Sequence, residues 1–555
     1  MNAVIQFEPD AYLLTGPKLM GRQSAGAGFL RAAVRARGDE PVSAYTPFEN
    51  SAQLFRKAVA EIDPTAQTRW IPGQRLDLLA QNGLLYRPDQ ILGGLARQRL
   101  RVGPAAYSLC GVTHTLATDA PLDSIAKMLV DPVMPWDALV CTSTAAHAVV
   151  TAVLDRQTEL QRWRTGCHVA SERPLLPIIP LGVHCDDFAF TEPERAAARD
   201  KLAVGRDAVV VLVAGRISAH SKAHPYPLMR ALQHTAEETG KPIVLVLAGQ
   251  AFAPAISEAY RSGAAAFCPD VRTVFVDGQD AAAYRGAWAA ADLFASLADS
   301  IQETFGITPL EAMAAGLPAL VSDWNGYKDT VRDGVDGFRV PTWAPSPGSG
   351  AFIAHDFESK LNDFDTYLSR THTAVAVDMG QLRARLKELV TDEPLRRRMG
   401  AAGQARARST FDWSLVFRSY QALWDEQTAI RRRAAADPAT RAWLSRAPMT
   451  GAEHMGPFDT FASYPTRHVS AATWVSRAPN VTAQAYRELI AHTLLSYAAV
   501  TPQVVDLVMA ALDQGPATVG NLAQATGIAS DRMIEVAARL AKIDVLVLTS
   551  EPAGG

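Results

Sequence analysis

Asp299-Ser-Ile-Gln-Glu-Thr-Phe-Gly-Ile-Thr-Pro-Leu-Glu-Ala-Met-Ala-Ala-Gly-Leu-Pro-Ala-Leu-Val-Ser-Asp323 follows an apolar run, Asp292 to Leu297, that has the length and polar borders of a buried parallel strand. Thr308-Pro-Leu-Glu311 has the Thr-x-x-Glu spacing of a capping box with Pro at the first helical position, which predicts a helix from about Pro309. Gly316 and Pro318 stop it about two turns later. Strand, loop and helix N-terminus therefore meet at Phe305-Gly306-Ile307, where unpaired N–H groups and the positive end of a helix dipole make a seat for phosphate. Glu303 and Glu311 flank that seat with seven residues between them. Alone, they would be a solvated loop acid and a helix cap. Beside an anion seat they fit a second role, accepting hydrogen bonds from sugar or ribose hydroxyls.

A chain of 555 residues is too long for one core and allows about three domains. Its 48% hydrophobic and 20% charged residues are those of a folded globular protein. A formal net charge of -3 leaves no bulk electrostatic footprint for nucleic acid or an anionic membrane. Five cysteines, Cys110, Cys141, Cys167, Cys185 and Cys268, are odd in number and widely spaced. That pattern disfavours a disulfide framework and a zinc site, and it fits a reducing, cytoplasmic compartment. The first ten residues carry acids and no basic region, and the longest apolar runs are strand-sized, so neither a signal peptide nor a membrane span is expected.

Ala11 to Thr15 has the pattern of a first strand, followed by a glycine-rich turn, Gly16 to Gly28, and a helix from Phe29 to Arg37. Such a turn lets backbone approach a phosphate, although the strict dinucleotide form fails at Arg31. Strands are expected at Ala106 to Cys110 and Ala138 to Thr142, and Gly111-Val-Thr-His114 leaves the first of them where open parallel sheets bind ligands. Thr191-Glu-Pro-Glu194 caps a helix running to about Leu202. A second alternating set of strands follows at Ala208 to Ala214, Ile243 to Ala248, Thr273 to Val276, Asp292 to Leu297 and Ala319 to Ser322. Pro341 to Gly380, rich in Pro, Gly, Ser and Asp, is expected as an insertion, with Asp363 and Asp365 a solvated acid pair.

The run Glu303 to Glu311 with the following Ala-Met-Ala-Ala-Gly-Leu-Pro, continued by Ser322-Asp-Trp-Asn-Gly-Tyr-Lys and Asp333-Gly-Val-Asp-Gly-Phe338, resembles the retaining glycosyltransferases of family 4, which have the GT-B fold. The resemblance covers about residues 10 to 430. It implies that Gly26 and Gly28 face the donor phosphates, that His114 faces the reacting sugar, and that Phe305, Gly306 and Ile307 seat the diphosphate. In Gly215-Arg-Ile-Ser-Ala-His-Ser-Lys222 it implies that Arg216 and Lys222 grip the diphosphate. Here the interval between them is one residue longer than the commoner spacing, and Ala223 replaces a glycine. Glu303 would then be catalytic and Glu311 would hold the ribose. Pro177 to Phe188 resembles the family's hinge, and Phe411 to Tyr420 the segment that packs back across the domain junction.

The fold expected is α/β, with two doubly wound Rossmann-like domains facing an interdomain cleft, at 1–190 on the acceptor side and 191–430 on the nucleotide-sugar side. A connector at 431–480 and a winged-helix-like domain at 481–555 complete it. Residues 501–555 carry three basic against six acidic residues, so protein contact or homodimerisation is expected there rather than nucleic acid. The function expected is transfer of a sugar from a nucleotide diphosphate to an acceptor of unknown class (glycan, lipid or small molecule), with retention and without cofactor or metal. The alternatives are a nucleotide-sugar epimerase and a nucleotide-sugar-binding regulator acting through the tail.

Overall fold

The computed structural model describes residues 2–14, 21–166, 172–251 and 253–551. The first sheet is made of β1 (Val4–Gln6), β2 (Val42–Thr46), β3 (Thr68–Pro72), β4 (Leu84–Tyr86), β5 (Ser108–Val112) and β6 (Ala138–Val140) in the order 3-2-1-4-5-6. Every pairing is parallel. The second contains β7 (Val209–Ala214), β8 (Ile243–Gly249), β9 (Arg272–Asp277), β10 (Leu293–Ser296), β11 (Ala319–Ser322) and β12 (Gly337–Val340) in the order 12-11-10-7-8-9, again all parallel. Val210, Val211 and Leu212 in β7 are fully buried, as an all-apolar strand with helices on both faces requires. Each such side chain contributes roughly 1.5–3 kcal/mol by leaving water.

The first strand is not Ala11 to Thr15. Pro9 occupies the first turn of a short helix, Pro9–Tyr12, and fixes φ for that conformation, while Thr15 and the turn residues Gly16 to Met20 lie outside the described residues. The strand is Val4–Gln6, only three residues long, and the following helix, Gly21–Arg35, already includes Gly26 and Gly28. At Glu192–Lys201 both halves of the expected capping box are present.

The helix Trp413–Ala436 returns to the first domain, so the division at 190 holds only for the outward passage of the chain. Trp413, Phe417, Tyr420 and Trp424 enter the core that contains Phe29 and Tyr86. Phe29 stacks on Tyr86 at 4.1 Å. Trp413 is wedged between Gly28 and Gly182, where an added Cβ would lie 2.5 Å from the indole on either side. Further along, Gln427 Nε2 donates to the carbonyls of Leu109 (2.8 Å) and Trp136 (3.0 Å), and Arg431 donates to those of Ala105, Ala106 and Gly83. The helix thus closes carbonyls at the N-terminal edge of the first sheet.

The chain divides into two compact units, Met1–Glu453 and His454–Gly555. The second has its own core, with Val505, Leu522, Met533 and Leu540 among the buried residues. Its sheet places Trp474–Arg477 between Ala517–Thr518 and Leu546–Thr549, all antiparallel. The segment 431–480 is therefore no plain connector, because it supplies the central strand of that sheet. In the helix Ser530–Lys542, Arg532 and Arg539 both pair with Glu535, and Arg539 also donates to the carbonyls of Tyr497 and Ala499. No helix among the described residues is long and apolar enough to cross a membrane.

Ending the chain after Glu453 should leave the first unit folded, whereas ending it after Glu426 removes the Gln427 and Arg431 anchors. We expect the shorter form to lose several kcal/mol, at about 1–3 kcal/mol for each buried or charged hydrogen bond lost. Thermal unfolding of the two truncations checks this.

Candidate functional site

In the second sheet, strand order reverses between β7 and β10, and the two loops that leave their C-terminal ends diverge there. The first is Gly215 to Lys222 and the second runs from Leu297 to Ile307. Gly215 to Ser218 and Lys222 of the first loop, with Ser296, Leu297, Thr308 and Tyr327, line one cavity, and the second loop joins it through Glu303. Lys222 forms an ion pair with Glu303 across the two loops; Glu303 is 11% exposed and Lys222 34%. Arg216 donates to Gln302 Oε1 at 3.3 Å, and burial holds its guanidinium below its ordinary pKa against the opposing pull of Glu303 and Asp365. Thus three residues expected at the site converge although 81 positions separate Lys222 from Glu303. Asn325 Nδ2 donates to the Glu303 carbonyl at 2.8 Å and fixes the loop from the far side.

Phe305 is buried in the core beneath this loop, and Gly306 adopts φ +83°. A Cβ at Gly306 would fall 2.1 Å from the Tyr327 ring, so both conformation and space require glycine. Ile307 is the N-cap residue of the helix Thr308–Ala314, and no side chain caps it. The expected Thr308–Glu311 capping box is therefore absent. Thr308 bonds instead to the Tyr327 hydroxyl, which also meets Ser296 Oγ at 2.8 Å, and Glu311 turns inward. Among the described residues, Glu311 Oε2 is buried without a hydrogen-bond partner. Burial raises its pKa to about 7, with the Lys222 charge pulling the other way.

On the opposite domain His114 follows β5, half-buried, with Nε2 donating to the Pro88 carbonyl at 2.7 Å. That bond leaves Nδ1 as the acceptor. Burial lowers the imidazole pKa to about 4, so it is neutral near pH 7. Gly26 and Gly28 are not in a phosphate-approaching loop. Both lie inside a helix, where Gly26 lets the Ala11 carbonyl approach and Gly28 accommodates Trp413. Their roles are packing roles, and the glycine spacing reflects close helix contacts. Nearby, Arg22 pairs with Glu8 (3.4 Å) and Asp89 (3.5 Å), both of which also pair with Arg87. This cluster lies where the order of the first sheet reverses between β1 and β4, and isolated charges gave no sign of it in sequence.

The strand ends of the two domains approach each other. Ser143 Oγ, just beyond β6, donates to the Thr304 carbonyl at 2.7 Å, and Thr144 N donates to Asp329 Oδ2 at 2.6 Å. Thr142 meets Thr113, the neighbour of His114, through their hydroxyls at 3.4 Å. The loop holding Glu303 is thereby tied to the strand ends that carry His114. Asp363 caps the helix Phe364–His372 by accepting from Thr366 N, and Asp365 is 76% exposed and lies 3.7 Å from His220. The acid pair is thus split between a cap and a residue near the cavity. Among the described residues, no group of three or more His, Cys, Asp or Glu is arranged to hold a metal ion.

Residues 194–345 match the family model described as Glycosyl transferases group 1. A D-inositol 3-phosphate glycosyltransferase of Nocardioides sp. is 33% identical over 182 residues, 30% of this chain and 37% of the relative. The chain thus spans about two fifths of that protein's length. A D-inositol 3-phosphate glycosyltransferase of Actinosynnema mirum is 28% identical over 316 residues, 54% of this chain and 72% of the relative. Among solved structures, Anabaena Alr3699/HepE in complex with UDP-glucose is 15% identical with a TM-score of 0.47, covering 76% of this chain and 99% of that one. That likeness is too distant to carry an argument.

The Glu311 carboxyl gives the site a pH signature. Its folded pKa of about 7 exceeds the ordinary 4.5, so between those values the folded chain holds a proton that the unfolded chain has released. Stability of the ligand-free protein should fall as pH rises from about 4.5 to about 7 and level off above, by about 3 kcal/mol for this group. Glu311→Gln should remove that fall, as read from denaturant midpoints at pH 5 and pH 8.

Proposed function

We propose that this chain is a glycosyltransferase that moves a sugar from a nucleoside diphosphate to a hydroxyl-bearing acceptor (glycan, lipid or small molecule) with retention at the anomeric carbon. The observation that carries the reading is the convergence of Arg216, Lys222 and Glu303 at the strand-order reversal, tied through Ser143 and Thr304 to the strand ends that bear His114. The family match over residues 194–345 covers both loops and supports the donor side of the reading. Retention rests on the resemblance carried by the Glu303 to Glu311 run.

In this scheme the diphosphate enters between Lys222 and Glu303. Lys222 and Arg216, with the amides at Phe305, Gly306 and Ile307, meet the negative charge that grows on the leaving group. Glu303, released from Lys222, accepts hydroxyls of the transferred sugar and orients it. Glu311, whose Oε2 lacks a partner, accepts the ribose hydroxyls and ionises in doing so. His114 acts as a neutral hydrogen-bonding group toward the sugar, since an imidazole with a pKa of about 4 is a poor acid catalyst near pH 7. No metal is assigned a step.

Calorimetry with a panel of nucleoside diphosphate sugars, followed by NMR of the product's anomeric proton, tests this reading. Binding of one donor and product of unchanged configuration are expected. Conversion of the donor sugar without any acceptor would contradict transfer, and product of inverted configuration would contradict retention. The two glutamates should fail differently. At pH 8 Glu311→Gln should weaken nucleoside diphosphate binding by roughly 1–3 kcal/mol, the usual cost of losing hydrogen bonds to a charged acceptor. Glu303→Gln should not weaken it, because it frees Lys222, yet it should depress transfer. Equal loss of nucleotide affinity in both would refute the assignment. Turnover should also persist in excess EDTA; its loss and recovery with Mg²⁺ would return attention to Asp365.

A further inference from the structure

The stretch Pro341 to Gly380, expected as an insertion, contains two helices, Ala351–Glu358 and Phe364–His372. They hold each other through Phe357 and Tyr367, stacked at 4.8 Å, and through Arg370 and Asp356 at 2.6 Å. The second helix meets one of the two loops at each of its ends. At its start, Asp365 lies 3.7 Å from His220 and contributes to the field at Arg216. At its end, His372 is 3% exposed and its Nδ1 lies 3.4 Å from Asp299 Oδ1.

Asp299 is the pivot. It sits just past β10, its backbone N donates to the Lys222 carbonyl at 3.3 Å, and its Oδ2 accepts from His224 N at 3.4 Å. The His224 and His372 rings stack at 6.1 Å. Asp299 Oδ1 and His372 Nδ1 are both buried and, among the described residues, have no other hydrogen-bond partner. A carboxylate this enclosed is expensive to leave unsatisfied, so the imidazole is its available counterpart and a small approach completes the bond. Asp299 thus holds the main chain on both sides of Ala223, with its backbone N–H on the Lys222 carbonyl and its carboxylate on His224 N, immediately after the lysine proposed to take the diphosphate.

We infer that His372 is a positioning residue, through which the insertion helix braces Asp299 and with it the Arg216 to Lys222 loop against the diphosphate of the donor. The inference rests on the donor-site reading above and deepens it, since it assigns donor affinity partly to a segment outside the matched family model. The brace works through the main chain of Lys222 and His224, so it acts on the phosphates and leaves the Glu311 side of the nucleotide untouched.

The test uses the full chain, with His372→Leu to remove the ring nitrogens and His372→Asn to keep a short polar donor. Hydrogen exchange of the amides at residues 215–224 is followed without ligand, and affinity is measured for whichever of UDP, GDP or ADP the parent binds. His372→Leu should speed exchange in that segment by about tenfold and weaken nucleotide binding by about tenfold, with His372→Asn recovering most of both. In a Lys222→Ala background the same substitution should cost clearly less affinity than in the parent, because the ammonium that the brace positions is gone while Arg216 and the main-chain contacts remain. His372→Phe, which keeps a ring but removes both nitrogens, takes its place if His372→Leu does not fold. Unchanged exchange, or an undiminished affinity loss without Lys222, would overturn the inference. A parent that binds none of the three nucleotides would overturn the donor reading, while the exchange measurement still decides the brace.

Discussion

A parallel sheet whose strand order reverses at its centre cannot cover the C-terminal ends of the two strands at the reversal, because the chain leaves them toward opposite faces. Here those strands are β7 and β10, paired through Leu212 and Phe294. All the chemistry proposed for the second domain follows from that constraint. The β7 loop supplies the cations, the β10 loop supplies Glu303, and the two meet in one ion pair over the gap. The pair satisfies both charges, and in the proposed function a diphosphate replaces the carboxylate as the lysine's partner.

The first sheet repeats the constraint with different contents. Its reversal lies between β1 and β4, where Glu8, Arg22, Arg87 and Asp89 neutralise one another. The helix Trp413–Ala436 commits the chain's return to this domain by wedging Trp413 against two glycines and by closing strand-edge carbonyls through Gln427 and Arg431. Joining the sheets in this way fixes which loops can face each other, and Ser143 to Thr304 is the contact in which they do.

Long apolar strands and local cap chemistry were legible from the residues. β7, β8, β10 and β11 appear within one or two residues of expectation, and Thr191 with Glu194 forms the expected box. The same spacing at Thr308 and Glu311 misled, since Tyr327 and a buried pocket compete for those side chains from far along the chain. β1 and β4 are three-residue strands whose stability is entirely tertiary, so periodicity could not mark them. Gly26 and Gly28 pointed to a phosphate loop because a glycine needed for helix contact and one needed for ligand approach look alike in sequence. His372 and Asp299, 73 positions apart, carried no local signal of their meeting. The strand Trp474–Arg477 was hidden because its partners, Ala517–Thr518 and Leu546–Thr549, lie far beyond it.

The most direct measurement of the central claim is the structure of this chain with a nucleoside diphosphate sugar bound. The account predicts that the Lys222–Glu303 pair opens, with Lys222 Nζ on a phosphate oxygen, Glu303 against a hydroxyl of the sugar, and Glu311 within hydrogen-bond distance of the ribose. An intact Lys222–Glu303 pair with the ligand's diphosphate seated elsewhere would contradict it.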